Sequence, residues 1–248
     1  MRTIFLPVFL FICIQNAPAD CKQPLDAQTL EQLRLGWTDV QLRPGDTYQF
    51  ALAILSTYMP AQEVPACATW KVEPEGKGAT INPSGLLKID STAPAGAKFV
   101  VKADIEKGRA VRKIVVIIYT DKSQPLVGFW KQQSRFGCQP GELIGPGQPI
   151  QELEFRADGQ FAVTWTPFEV YHDYWGSYEA DSAGQAVSFK IEQGNYIPAD
   201  FRGKGKYKLK NGTTLELSGI YFGDRHVSGD TKNHKINPKC HYIFTRIQ

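Results

Sequence analysis

The chain has little of what several function classes require. Its leading apolar run, Ile4 to Ile14, fails at Gln15-Asn16, short of the roughly 20 apolar residues that a membrane-spanning helix needs. Charge of neither sign dominates: 28 basic residues stand against 25 acidic ones and are scattered along the chain, which excludes the one-sided basic footprint of a nucleic-acid binder. There is no Gly-x-Ser-x-Gly elbow and no His-Glu-x-x-His pair, so neither a hydrolase nucleophile nor a helical zinc motif is indicated. Sustained helical periodicity is also missing. Only Leu25 to Leu33, with Asp26 as cap, reads as a short helix.

What is there begins with an export signal. Arg2 supplies a positive start, Ile4 to Ile14 an apolar stretch and Ala17-Pro18-Ala19 a small-x-small cleavage site, so residues 1–19 read as a signal peptide. Ile12 and Asp20 precede Cys13 and Cys21, where a lipid-anchor motif has a small neutral residue. A periplasmic or secreted protein is expected. Cys21, Cys67, Cys138 and Cys240 remain after cleavage, and an even count in an exported chain suggests disulfides.

Between residues 35 and 119, short apolar or alternating segments separated by turn residues predict strands near 36–42, 47–55, 67–73, 78–82, 86–89, 98–105 and 110–119. Seven short strands in this length suit a β-sandwich. The stretch Thr69-Trp70-Lys71-Val72, the turn Asn82-Pro83-Ser84-Gly85-Leu86 and the segment Pro94-Ala95-Gly96-Ala97-Lys98-Phe99-Val100-Val101 resemble the bacterial Ig-like repeats of surface proteins. That resemblance implies a spacer or adhesive unit over residues 20–121, with Trp70 as its core tryptophan.

Asp121-Lys122-Ser123-Gln124-Pro125 reads as a polar linker into a second domain, 122–248. Strands are predicted near 126–134, 150–156, 160–166, 174–180, 186–191, 203–209, 213–220 and 240–247, with Asp158-Gly159 and Asn211-Gly212 as type I′ hairpin dipeptides. Eight hairpin-linked strands give a small up-and-down barrel, filled or holding one small ligand. The expected fold is all-β: an Ig-like sandwich followed by an eight-stranded barrel.

Leu126-Val127-Gly128-Phe129-Trp130-Lys131 resembles the first strand of the lipocalin-like (calycin) superfamily, and Tyr242-Ile243-Phe244-Thr245-Arg246 its last. The resemblance implies that Gly128, Trp130 and Arg246 are structural, Arg246 stacking on Trp130 to close one end. If the first and last strands pair antiparallel with Trp130 near Arg246, Cys138 falls opposite about residue 238. That favours a Cys138 to Cys240 bridge, leaving Cys21 with Cys67.

The richest local cluster runs from Trp165 through Phe168, Glu169, Tyr171, His172, Asp173, Tyr174 and Trp175 to Tyr178. Trp165, Phe168, Tyr171, Tyr174, Trp175 and Tyr178 would line or lid a barrel mouth and take a small apolar or amphipathic ligand; core packing with a rigid loop is the competing reading. Alternation puts Tyr174, Gly176 and Tyr178 on one face, and Trp175, Ser177 and Glu179 on the other. Phe155, Phe161, Val163, Trp165, Phe189, Tyr207, Leu215 and Leu217 are the wall candidates. His226, His234 and His241, beside Asp224 and Asp230, have spacings that match no short metal-binding motif, and no motif calls for a cofactor. The alternating lysines of 204–210 read as a solvated strand face. The expectation is an exported, non-enzymatic binding protein. Its rival is a secreted or surface module whose filled barrel contacts a protein or glycan, and large inward side chains on every strand would favour that rival.

Overall fold

Asp26 is held in extended conformation, and its carboxylate accepts from the Thr29 amide at 2.8 Å, which starts α1 (Ala27–Gln32). The structure, a computed structural model, describes residues 24–36, 38–56, 60–138, 149–167, 171–223 and 240–247. The expected signal peptide, Cys21, Phe168, Glu169, Asp224, His226, Asp230 and His234 lie outside the described residues.

After α1 come β1 (Leu33–Arg34), β2 (Val40–Leu42), β3 (Thr47–Gln49), β4 (Ala53–Ile54), β5 (Gln62–Glu63), β6 (Ala68–Glu73), β7 (Ala79–Ile81), β8 (Leu86–Ile89), β9 (Lys98–Ile105) and β10 (Ala110–Ile118). They form a four-stranded sheet β2-β10-β9-β6, in which β2 runs parallel to β10, and two three-stranded sheets, β3-β8-β7 and β1-β4-β5. The alternating β9 turns Phe99, Val101, Ala103 and Ile105 into one core shared by all three sheets. The strand expected at 36–42 is shortened to β2, and the one expected at 47–55 is split at Phe50-Ala51-Leu52 into β3 and β4, which join different sheets; β1 and β5 are additions. Trp70 is only half-buried, stacked 6.2 Å from Phe50 at the margin of this core. Its centre is Phe50, Leu87, Phe99 and Val101.

The second half is a closed eight-stranded antiparallel barrel of β11 (Gly128–Phe136), β12 (Glu152–Phe155), β13 (Gln160–Thr164), β14 (Tyr174–Asp181), β15 (Ala186–Gly194), β16 (Lys204–Lys210), β17 (Thr214–Ser218) and β18 (His241–Arg246). Closure removes the exposed edges that invite aggregation. Asn211 and Gly212 both have positive φ, 53° and 70°, as a type I′ turn requires. The other predicted type I′ turn is corrected: only Gly159 is left-handed, and its amide donates to Arg156 O around Ala157-Asp158. This is the three-residue hairpin that ends in a left-handed glycine.

The seam between β11 and β18 pairs Trp130 with Arg246, shifts register once between Gln132 and Ser134, and then pairs Phe136 with His241. The bulge carries Cys138 one residue closer to Cys240 than an unbroken ladder would. Cys138 and Cys240 form a disulfide. Cys67 is disulfide-bonded, and Cys21, the half expected for it, lies outside the described residues.

A second small core of Ile117, Tyr119, Val127 and Ala157 joins the two halves. Beside it, Arg156 at the β12–β13 turn donates to Thr38 Oγ1 and Asp39 O, both at 3.0 Å, and the Ala157 amide donates to Gln41 Oε1.

Candidate functional site

The barrel has two unlike ends. At one end the tight β12–β13, β14–β15 and β16–β17 turns face the linker. Trp130 is fully buried there and donates its indole N–H to Leu126 O at 2.7 Å. Arg246 Cζ lies 4.5 Å from the Trp130 ring centre, and its guanidinium donates to Val127 O at 3.0 Å and Pro125 O at 2.6 Å. Burial pushes the Arg246 pKa down, opposed by Asp121 at 3.8 Å. Gly128, at φ 134°, occupies backbone space that side chains rarely tolerate, which lets the linker fold back over the ring. A half-open depression of about 160 Å³ lies here between the linker residues Ser123–Leu126 and Tyr178.

The far end carries the longer connections, and the five described members of the six predicted ligand residues do not gather there as a rim. Trp165 and Tyr174 are buried in the barrel core, rings 5.7 Å apart. Trp175 sits on the outer face of β14, opposite Ala162. Tyr178 points inward at the linker end and donates to Arg156 O at 3.0 Å, with burial pushing its phenol pKa up. Tyr171 is half-buried and donates to Asp173 Oδ1 at 3.3 Å, while Phe168 lies outside the described residues. The physical reason is alternation: Tyr174 and Trp175 are neighbours on one strand and must face opposite sides of the sheet.

Asp173 is fully buried and organises the loop before β14. Its Oδ2 accepts from the Trp165 amide at 2.8 Å, its own amide donates to Val163 O, and its carbonyl accepts from the amides of Asn195 and Tyr196. His172 Nδ1 lies 3.1 Å from Thr164 Oγ1, and burial lowers its pKa, opposed by Glu152. Both groups are committed to holding two loops together. Glu154 is buried beside Arg156 at 3.4 Å. Burial raises its pKa despite that partner.

A residue not anticipated as part of the barrel interior closes the far end from within. After β17 the chain does not leave as a polar loop: Ile220, Tyr221 and Phe222 are all fully buried. The Phe222 ring stands 5.3 Å from Phe189, 5.5 Å from Tyr242 and 6.2 Å from Phe244. Its backbone is pinned by Tyr174, whose hydroxyl donates to Phe222 O at 2.8 Å, and by Tyr242, whose hydroxyl accepts from the Phe222 amide at 3.3 Å. Burial pushes the Tyr174 phenol well above its ordinary pKa, so it remains a donor. Gly223 follows at φ 89°, and a Cβ there would meet Pro198 at 2.3 Å. Ile220-Tyr221-Phe222, three apolar residues in a row where the strand had alternated, was the signal for this plug.

Every strand sends large side chains into the same core: Trp130, Phe155, Phe161, Tyr174, Phe189, Tyr207, Leu217 and Phe244 from β11 to β18 in turn. His241 is the one metal candidate among the described residues, and its ring packs 6.4 Å from Phe136. Among the described residues no helix is long and apolar enough to cross a membrane.

No protein-family profile matches the chain, and no curated protein matches it. The chain is similar to a crystal structure of a structural-genomics protein of unknown function from Bacteroides ovatus, with 10% identity, a TM-score of 0.28 and coverage of 86% of this chain and 89% of that one. A likeness of that strength carries no argument about activity, and the functional reading rests on the residues.

Proposed function

We propose that the protein is an exported, non-enzymatic interaction module whose lipocalin-like barrel is filled and meets a protein or glycan partner with its surface, carried on an Ig-like sandwich. The observation that carries this reading is the continuous aromatic interior, completed by the Phe222 plug. Large side chains entering from all eight strands take up interior space that a small apolar ligand would need, which favours an interaction module over a carrier. Export is supported by the Cys138–Cys240 disulfide, a bond rare in reducing compartments. Asp173 and His172, the described ionisable residues of the aromatic cluster, are both engaged in loop contacts.

The test is native mass spectrometry of the mature protein purified from its own host, compared with the denatured sample. The native mass is expected to equal that of the disulfide-bonded polypeptide. A stoichiometric excess mass released on denaturation would replace this reading with a ligand carrier.

A further inference from the structure

The outer face of β16 carries a feature that a filled barrel leaves unexplained. Lys204, Lys206, Lys208 and Lys210 alternate with the inward Gly205, Tyr207 and Leu209, and all four lysines are exposed. Arg202, exposed two residues earlier and bridged to Tyr221, extends the row by one step. At about 3.3 Å per residue, five cations spaced roughly 6.6 Å apart make a line roughly 26 Å long. Of these five cations only Lys210 has an ion-pair partner among the described residues, Glu216.

The flanks decide what such a line fits. On β15 the residues opposite Lys206 and Lys204 are Ala186 and Ser188, and on β17 Ser218 stands opposite Lys206. Beyond them lie carboxylates: Glu179 and Asp181 on β14, opposite Ser188 and Ala186, and Glu216 on β17, opposite Lys208. Positive charge is thus concentrated along β16, joined at the Arg202 end by exposed Lys190 of β15, and is flanked over Lys204 to Lys210 by negative rails, Glu179 and Asp181 on one side and Glu216 on the other. A planar anionic membrane would meet the rails as well as the stripe, whereas a single extended polyanion would meet only the stripe. The outward positions of β15 to β17 carry no aromatic ring. Binders of single-stranded nucleic acid use rings for base stacking, while Ser188 and Ser218 offer hydroxyls suited to sugar hydroxyl groups.

We infer that the β16 face is a docking site for a linear acidic polysaccharide, its carboxylate or sulfate groups lying along Arg202 to Lys210. This deepens the interaction-module reading and rests on it. The probe is a polygalacturonate oligomer, titrated against the full mature protein by calorimetry at low and at physiological salt, with neutral dextran as control. Binding is expected to be present at low salt and to fall steeply as salt screens the charges. The triple variant Lys204→Gln, Lys206→Gln, Lys208→Gln should bind at least about tenfold more weakly with a shallower salt dependence. Lys71→Gln with Lys113→Gln, exposed on β6 and β10, should change nothing. Removing mutually repelling exposed charges should leave the thermal midpoint unchanged or higher, so folding is not in question. Absence of binding at low salt, equal binding by the triple variant, or tighter binding to single-stranded DNA of matched charge or to phosphatidylglycerol vesicles would overturn the inference. Each of these leaves the interaction module intact if the native mass is bare, whereas a released small molecule would overturn that reading whatever polygalacturonate does.

Discussion

The guanidinium of Arg246 lies over the face of Trp130 while its two terminal nitrogens hold the carbonyls of Pro125 and Val127. One side chain therefore closes the strand ring, covers its buried indole and fixes the linker. Stacking contributes about 0.5–2 kcal/mol and each hydrogen bond from a charged donor about 1.5–3 kcal/mol. Arg246→Ala should destabilise the barrel by about 3.5 kcal/mol or more on these grounds. Arg246→Lys should recover only part of this, since an ammonium lacks the planar fork. Urea unfolding followed by tryptophan fluorescence measures both.

Phe222→Ala should cost about 3–5 kcal/mol, the range for emptying a buried phenylalanine site, and Phe222→Leu clearly less. Gly223→Ala, one residue on, should also destabilise, because it places a methyl against Pro198 and disfavours the left-handed backbone. Thermal unfolding of the three variants separates lost packing from backbone strain.

Acid should loosen the loop end of the barrel through His172. Its folded pKa is depressed by burial, so below about pH 6.5 the unfolded chain takes up the proton first. The stability contribution is complete above that pH and is lost as pH falls toward the folded pKa. Glu154 acts oppositely: its folded pKa is raised, so its handicap is present at neutral pH and is relieved as pH drops through that raised value. Melting midpoints from pH 7.5 to 5 should fall more steeply for the wild type than for His172→Gln, while Glu154→Gln should steepen the wild-type fall.

Arg156 is 7% exposed and ties Glu154 and Asp158 of the barrel to Thr38 and Asp39 of the first half. Breaking a buried pair from one side leaves an uncompensated charge and typically costs 3–5 kcal/mol. Arg156→Ala should therefore split a single calorimetric transition into two, the barrel melting first. Arg156→Met combined with Glu154→Leu should restore much of the barrel's midpoint, though not its coupling to the first half.

The barrel was legible because its signals are local. Period-two alternation and Asn211-Gly212 depend on neighbours a few residues away, while Gly128 and Trp130 with Arg246 mark the two seam strands and so set the register that brings Cys138 to Cys240. The plug was not, since the burial of Phe222 depends on Tyr174, Tyr242 and the glycine-to-proline contact of Gly223 with Pro198, all distant in sequence. The aromatic cluster was visible as composition but not as geometry. Nothing local distinguishes Tyr174 from Trp175, and their separation into core and outer face follows from which side of the sheet closes inward. Arg156 carried no signal because the partners that join it to the first half, Thr38 and Asp39, lie more than a hundred residues earlier.

The seam has a consequence for biosynthesis. β11 waits for β18, whose pairing spans the whole barrel sequence, so a chain still emerging from the ribosome has two open sheet edges until His241–Arg246 arrives. Any product cut short of that strand keeps both edges and lacks Cys240 for the bridge. Such fragments are primed to pair with one another or to be degraded, and ring closure thereby separates full-length molecules from truncated ones.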